Sequence, residues 1–185
     1  QPQPEVSSEV EGQETGSSSP EDLRSRRQRP KAWAHNAVRD SYAEAKLRGS
    51  TWNGWGFRIA PHVKSRLMER IKADRRSLGR GDLAIGHYVD AALRHIPVDV
   101  DDQVAMAEAF GLEQLWNPDK DRSKPSTYRV GPEAYELMSN LNMVLQEADK
   151  GRRGVLVVSA GLERLLDALE AEGALTLPKP RKPAR

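Results

Sequence analysis

The sequence predicts a mostly helical protein in which two strand–helix–helix units follow one another along one chain. Three observations predict it: a short step that occurs twice, helical periodicity after each occurrence, and a pair of Gly-rich basic turns at matching places. Residues 55–61 read Trp-Gly-Phe-Arg-Ile-Ala-Pro and residues 126–132 read Ser-Thr-Tyr-Arg-Val-Gly-Pro. At an offset of 71, an aromatic (Phe57, Tyr128), an arginine (Arg58, Arg129), a β-branched aliphatic (Ile59, Val130), a small residue (Ala60, Gly131) and a proline (Pro61, Pro132) coincide in order. Apolar and polar positions alternate in both copies, which is the period of a strand. A proline then stands where a first helical turn needs no N–H donor.

The elements follow in order. Residues 1–31 are rich in Gln, Pro, Ser, Glu and Arg and poor in large apolar residues, so they are expected to be disordered. Residues 32–50 should hold a short helix with Trp33, Ala37 and Leu47 inward, ended by Gly49. The first unit spans 51–97. Val63, Leu67 and Ile71 make one greasy stripe, and a second helix carries Tyr88, Val89, Ala92 and Leu93, with Asp82 as its expected N-cap and Pro97 beyond its end. Residues 98–123 form a linker helix with Val100, Val104, Ala107 and Leu112. The second unit spans 124–174. Its stripes are Ala134, Met138, Leu141 and Leu145, then Leu156, Leu162, Leu165, Leu166 and Leu169. The turns Gly79-Arg80-Gly81 and Gly151-Arg152-Arg153-Gly154 lie nearer 73 apart, so the second copy is expected to have a slightly longer helix or turn. Residues 175–185 read as a basic, Pro-rich tail.

Composition excludes several classes of function. The 185 residues contain no cysteine, which removes disulfides, thiol catalysis and Cys-based zinc sites. No run approaches the ~18 apolar residues that a membrane span requires. There is no signal-peptide pattern, and the first residue is Gln rather than Met, so the numbering is expected to begin inside a processed or engineered chain. The formal net charge is +2, but its distribution is uneven: −6 over residues 1–22, +5 over 23–31, +4 over 178–185, and about −1 for the remainder. Attraction to a polyanion must therefore come from local patches and tails.

Other signals are weaker. Gly79-Arg80-Gly81-Asp82-Leu83-Ala84 matches a loose dinucleotide fingerprint, but a charged helix rather than a buried strand precedes it. His35, His62, His87 and His95 are expected to be solvated or hydrogen-bonded, with no metal and no cofactor. Trp52, Trp55 and Trp116 are expected to pack over the core, with stacking on single-stranded bases as the alternative. No nucleophile–base or paired-carboxylate arrangement suggests an enzyme.

On Phe57-Arg58-Ile59 with Val63 and Leu67, and on Tyr128-Arg129-Val130 with Ala134 and Met138, the chain resembles the ribbon–helix–helix superfamily of Arc/MetJ-type DNA-binding proteins, over about residues 52–96 and 124–172. The resemblance implies a small antiparallel two-stranded β-ribbon above four helices, here closed within one chain as a tandem pseudo-dimer, as in accessory proteins of conjugative and T-DNA transfer. One strand and two helices cannot close a core alone; two copies can. Single-copy relatives include plasmid centromere-binding proteins, antitoxins and repressors.

The implied function is recognition of double-stranded DNA by the ribbon in the major groove. Arg58, Gly56, Arg129 and Thr127 would point outward from the strands. The second helices, expected to begin near Gly81–Leu83 and Gly154–Leu156, would offer N–H groups to phosphates, helped by Arg80, Arg152, Arg153 and Lys124. The glycines leave the first strand with fewer reading side chains, so the second is the better reader. The expected setting is plasmid partition, conjugative transfer or transcriptional repression in a bacterial cytoplasm, associated with nucleoid or plasmid. A partition ATPase, relaxase or other transfer protein would meet the tails, and the chain would be a monomeric pseudo-dimer or a homodimer. The alternative is a protein-interaction module, an antitoxin or assembly adaptor, which the nearly neutral core also suits.

Overall fold

The structure is a computed structural model that describes residues 32–177. The expected disordered segment 1–31 and the basic residues 178–185 lie outside the described residues. Within them the order is α1 (Trp33–Arg48), a short 3-10 turn (Gly49–Thr51), β1 (Asn53–Phe57), α2 (Pro61–Leu78), α3 (Ile85–Leu93), α4 (Val100–Gln114), β2 (Ser126–Val130), α5 (Pro132–Glu147) and α6 (Gly154–Glu172). The fold is thus mostly α with one two-stranded antiparallel sheet. No described helix is long and apolar enough to cross a membrane.

Local chemistry sets most boundaries. Pro61 and Pro132 occupy the first turns of α2 and α5. Asp99 caps α4, accepting from the backbone N–H groups of Asp101 and Asp102 at 2.9 and 3.2 Å. α1 has no side-chain cap of its own. The Glu172 carboxylate at the end of α6 serves instead, accepting from the amides of Ala34 and His35 at 2.9 and 2.8 Å. A carboxylate there also meets the positive end of the helix dipole.

α6 is the centre of the core. Leu156, Leu162, Leu165, Leu166 and Leu169 are all buried, and α1 to α5 each pack against this helix. A helix that is greasy around most of its girth must be surrounded in this way. α1 and α4, expected as a short lead-in and a linker, both belong to the core: α1 buries Ala34, Ala37, Val38 and Tyr42, and α4 buries Ala107 and Phe110. Two inward assignments are corrected. Leu47 and Leu112 are 84% and 77% exposed, because each stands on the outer side of a helix whose inner side is already filled. Leu175, expected in the C-terminal tail, is buried, so the fold runs on to that point.

The strand register relates the two units. Asn53 pairs with Val130, Gly54 with Arg129, Trp55 with Tyr128, Gly56 with Thr127 and Phe57 with Ser126. Gly56 and Thr127 are also equivalent positions of the two repeats, so a local two-fold axis passes through this pair. One step further, Arg58 would face Pro125, which has no N–H to add to a ladder, and β1 has already stopped at Phe57.

The backbone N–H groups just past each strand are bonded by the opposite unit. Ala60 N–H donates to Ser159 Oγ on α6 at 2.9 Å, and Gly131 N–H donates to Asp90 Oδ1 on α3 at 2.7 Å. Asp90 and Ser159 are each the sixth residue of their helices. These helices start at Ile85 and Gly154, an offset of 69, which corrects the expected 73: α2 has 18 residues and α5 has 16, so the second copy is the shorter one.

Candidate nucleic-acid interface

The solvent face of the ribbon carries Gly54 and Gly56 from β1 and Thr127 and Arg129 from β2, all exposed. The opposite face carries Phe57 and Tyr128, whose rings meet at 4.9 Å over the core, and Trp55, which stands edge-on to Tyr135 at 5.0 Å. Trp52 is buried, and Trp116 packs against the core. The strand alternation was legible because one face of the ribbon is dry.

The two repeated arginines are held in matching ways. Arg129 Nη2 donates to the carbonyls of Gly49 at 2.8 Å and Trp52 at 3.2 Å, on the segment that enters β1. Arg58 Nη1 donates to the carbonyls of Pro118, at 3.3 Å, and Asp121, on the segment that enters β2. Each arginine thus fastens the approach to the opposite strand, and the acceptor carbonyls are again 69 residues apart between copies. The outcomes differ. Arg129 stays exposed, although each arginine donates through one Nη alone among the described residues. Arg58 is half-buried and lies past the end of β1 rather than on it, which corrects its expected place as an outward strand residue.

A cleft flanks the ribbon on each side, and one second helix opens into each. Ile85 and Gly86 at the start of α3 share the first with Lys46, Thr127 and Arg129. Gly154 at the start of α6 shares the other with Arg152, Gly56, Arg58 and Pro125. The structure thus brings both helix N-termini beside the strands, though α3 starts at Ile85 rather than near Gly81–Leu83. Its N-cap is Ala84 rather than Asp82, and the Ala84 N–H donates to His87 Nδ1 at 3.0 Å. That bond makes Nδ1 an acceptor and puts the ring proton on Nε2. Burial, helped by the positive charge of Lys46, lowers the His87 pKa to about 4.

Asp82 is occupied elsewhere. Its carboxylate accepts from Lys46 Nζ at 2.7 Å and from the Tyr42 hydroxyl at 2.6 Å, and these bonds lower its pKa to about 2. Arg80 donates to the same hydroxyl at 2.8 Å and lies over the Tyr42 ring. This corner is therefore a charge cluster in which Asp82 offsets Lys46.

Arg152, with a left-handed φ of 66°, is exposed beside Gly154. Arg153 is half-buried and joins Arg152 in a second hollow with Leu112, Leu115 and Trp116 of the α4 end. Lys124 is exposed one residue before Pro125.

Lys46, Asp90 and Ser159 were not visible as site or scaffold residues in the sequence. Lys46 reaches the cleft from α1, 39 residues before Ile85, and only the docking of α1 on α3 brings them together. No protein-family model matches the chain, no curated protein matches it, and no solved structure matches it.

Proposed function

We propose that the chain is a tandem ribbon–helix–helix protein that binds double-stranded DNA without catalysing a reaction, with the Gly54–Gly56–Thr127–Arg129 face in the major groove. The observation that carries this is the local two-fold axis at Gly56 and Thr127, which sets an exposed ribbon between two clefts, each entered by a helix N-terminus. A two-stranded ribbon fits a major groove, and helix N-termini on either side suit the phosphates that border it. Plasmid partition, transfer of DNA between cells, or repression of transcription would use such a protein, with a partition ATPase or relaxase as partner.

A gel-shift series with duplex DNA across a range of salt tests the proposal. The wild-type chain should retain duplex at low salt. Arg152→Ala should weaken binding to all duplexes alike and reduce the log–log salt slope by about 1, as loss of one phosphate contact does. Arg129→Ala should instead weaken the preference between sequences. Failure to retain any duplex at low salt would turn the assignment to a protein-interaction module. One observation favours that second function: Leu112 and Leu115 are exposed at the end of α4, in a hollow shared with Glu108, Asp119, Arg152 and Arg153.

A further inference from the structure

The two halves of the ribbon obey one symmetry in backbone but not in chemistry. At the axis, the equivalent positions are Gly56 and Thr127, so only one of them carries a side chain. Arg58 and Arg129 are equivalent too, and each bonds two carbonyls through a single Nη, yet Arg58 is half-buried against the 118–121 segment while Arg129 is exposed. The remaining pair, Gly54 and Pro125, offers no polar side-chain group.

Thr127 leans over a neighbouring glycine. A Cβ added to Gly54 would come within 2.9 Å of Thr127 Cγ2, so the methyl group lies over the bare glycine. Gly56 leaves more room, since a Cβ there would stand 3.9 Å from Thr127 Oγ1. Thr127 and Arg129 are two residues apart on one strand and therefore ~7 Å apart along it, about two base-pair steps.

We infer that the DNA target of this ribbon is not a palindrome: base recognition is confined to one half of the site and is made by Thr127 and Arg129. This rests on the DNA-binding function proposed above. A symmetric dimer of two chains presents the same side chains to both half-sites. Here the backbone would still straddle a centre, with phosphate contacts on both sides, while one flank of the sequence goes unread. Thr127, with a hydroxyl and a methyl, can meet a base edge or a thymine methyl, and Arg129 can meet guanine.

Selection of bound duplexes from a randomised pool tests the inference, using the full chain and the variants Gly56→Thr, Thr127→Ala and Arg129→Ala. Gly56→Thr supplies the missing side chain where van der Waals space exists, and far-ultraviolet circular dichroism of each variant verifies its fold. The wild type should yield a consensus without a dyad. Gly56→Thr should extend that consensus toward a dyad about its centre. Thr127→Ala and Arg129→Ala should each lower affinity for the selected site about tenfold while leaving affinity for the unselected pool nearly unchanged.

A palindromic wild-type consensus overturns the inference, as does a retained pool with no consensus. An asymmetric consensus indifferent to Thr127 and Arg129 overturns it too. In each of these cases the chain still binds duplex, so the DNA-binding function stands; no consensus, or indifference to Thr127 and Arg129, removes only the assignment of base reading to that face. Retention of no duplex at all removes that function and this inference with it.

Discussion

At the residue scale, His87 shows how the fold uses a titratable group without exposing it. The residue is 7% exposed, and its ring meets Tyr42 edge-on at 5.2 Å and Trp52 at 5.9 Å and accepts a hydrogen bond at the start of α3. Protonation would turn that acceptor into a donor facing a donor. The ordinary His pKa is 6.5 and the folded value is about 4, so the unfolded chain binds the proton more readily between them. The stability this provides is fully present above about pH 6.5 and is lost as the pH falls toward about 4. Burial raises the pKa of Asp90, which works in the opposite direction, so the wild-type slope is a difference. His87→Asn should isolate the histidine, because the amide oxygen can accept from Ala84 without titrating. Thermal melts from pH 7 to pH 4 should show Tm falling less steeply in the variant. A slope equal to that of wild type would show that His87 is not the group responsible.

At the element scale, α3 and β2 meet at Gly86. A Cβ there would collide with the carbonyl oxygen of Arg129, which is backbone and cannot swing away. Gly86→Ala should therefore push α3 from the ribbon and cost ~1–3 kcal/mol of stability, the range for overpacking a tight contact. Urea unfolding measures it, and a loss under half a kcal/mol would mean the contact yields easily. Gly154→Ala would be a gentler test of the same kind, since the atom it would meet is the Asn142 side-chain amide.

The elements were largely legible in advance. The recurring aromatic–Arg–β-branched–small–Pro step located both strands and the starts of α2 and α5, because a strand with one dry face and a Pro-started helix each leave a local signature. Copy lengths were not legible, since Gly79-Arg80-Gly81 and Gly151–Gly154 look alike in sequence but stand at different distances before α3 and α6. The fate of Arg58 was hidden for another reason. Whether a strand arginine points into solvent or bends onto carbonyls 60 residues away depends on where the 118–121 segment runs, and no periodicity encodes that. Glu172 as the cap of α1 and Asp90 as the partner of Gly131 are long-range pairings of the same type.

At the scale of the whole molecule, the sheet, the reciprocal Ser159 and Asp90 bonds and the α6 core all close within one chain. Sedimentation or light scattering should accordingly give the monomer mass of 20.6 kDa at micromolar concentration. A mass twice that value would indicate that two chains are needed. Both strands contribute to a single ribbon, and each unit bonds the strand exit of the other, so unfolding should be one cooperative transition rather than two.

The crossed bonds at Ala60 and Gly131 also bear on dilution. Two separate chains that shared such a core would come apart as their concentration fell, and their stability would depend on how many copies were present. Here the segment through α4 keeps the halves at a high effective concentration regardless of copy number. The ribbon stays assembled when the protein is scarce. Cleavage between Gln114 and Pro125 would remove that protection and make the same fold sensitive to dilution.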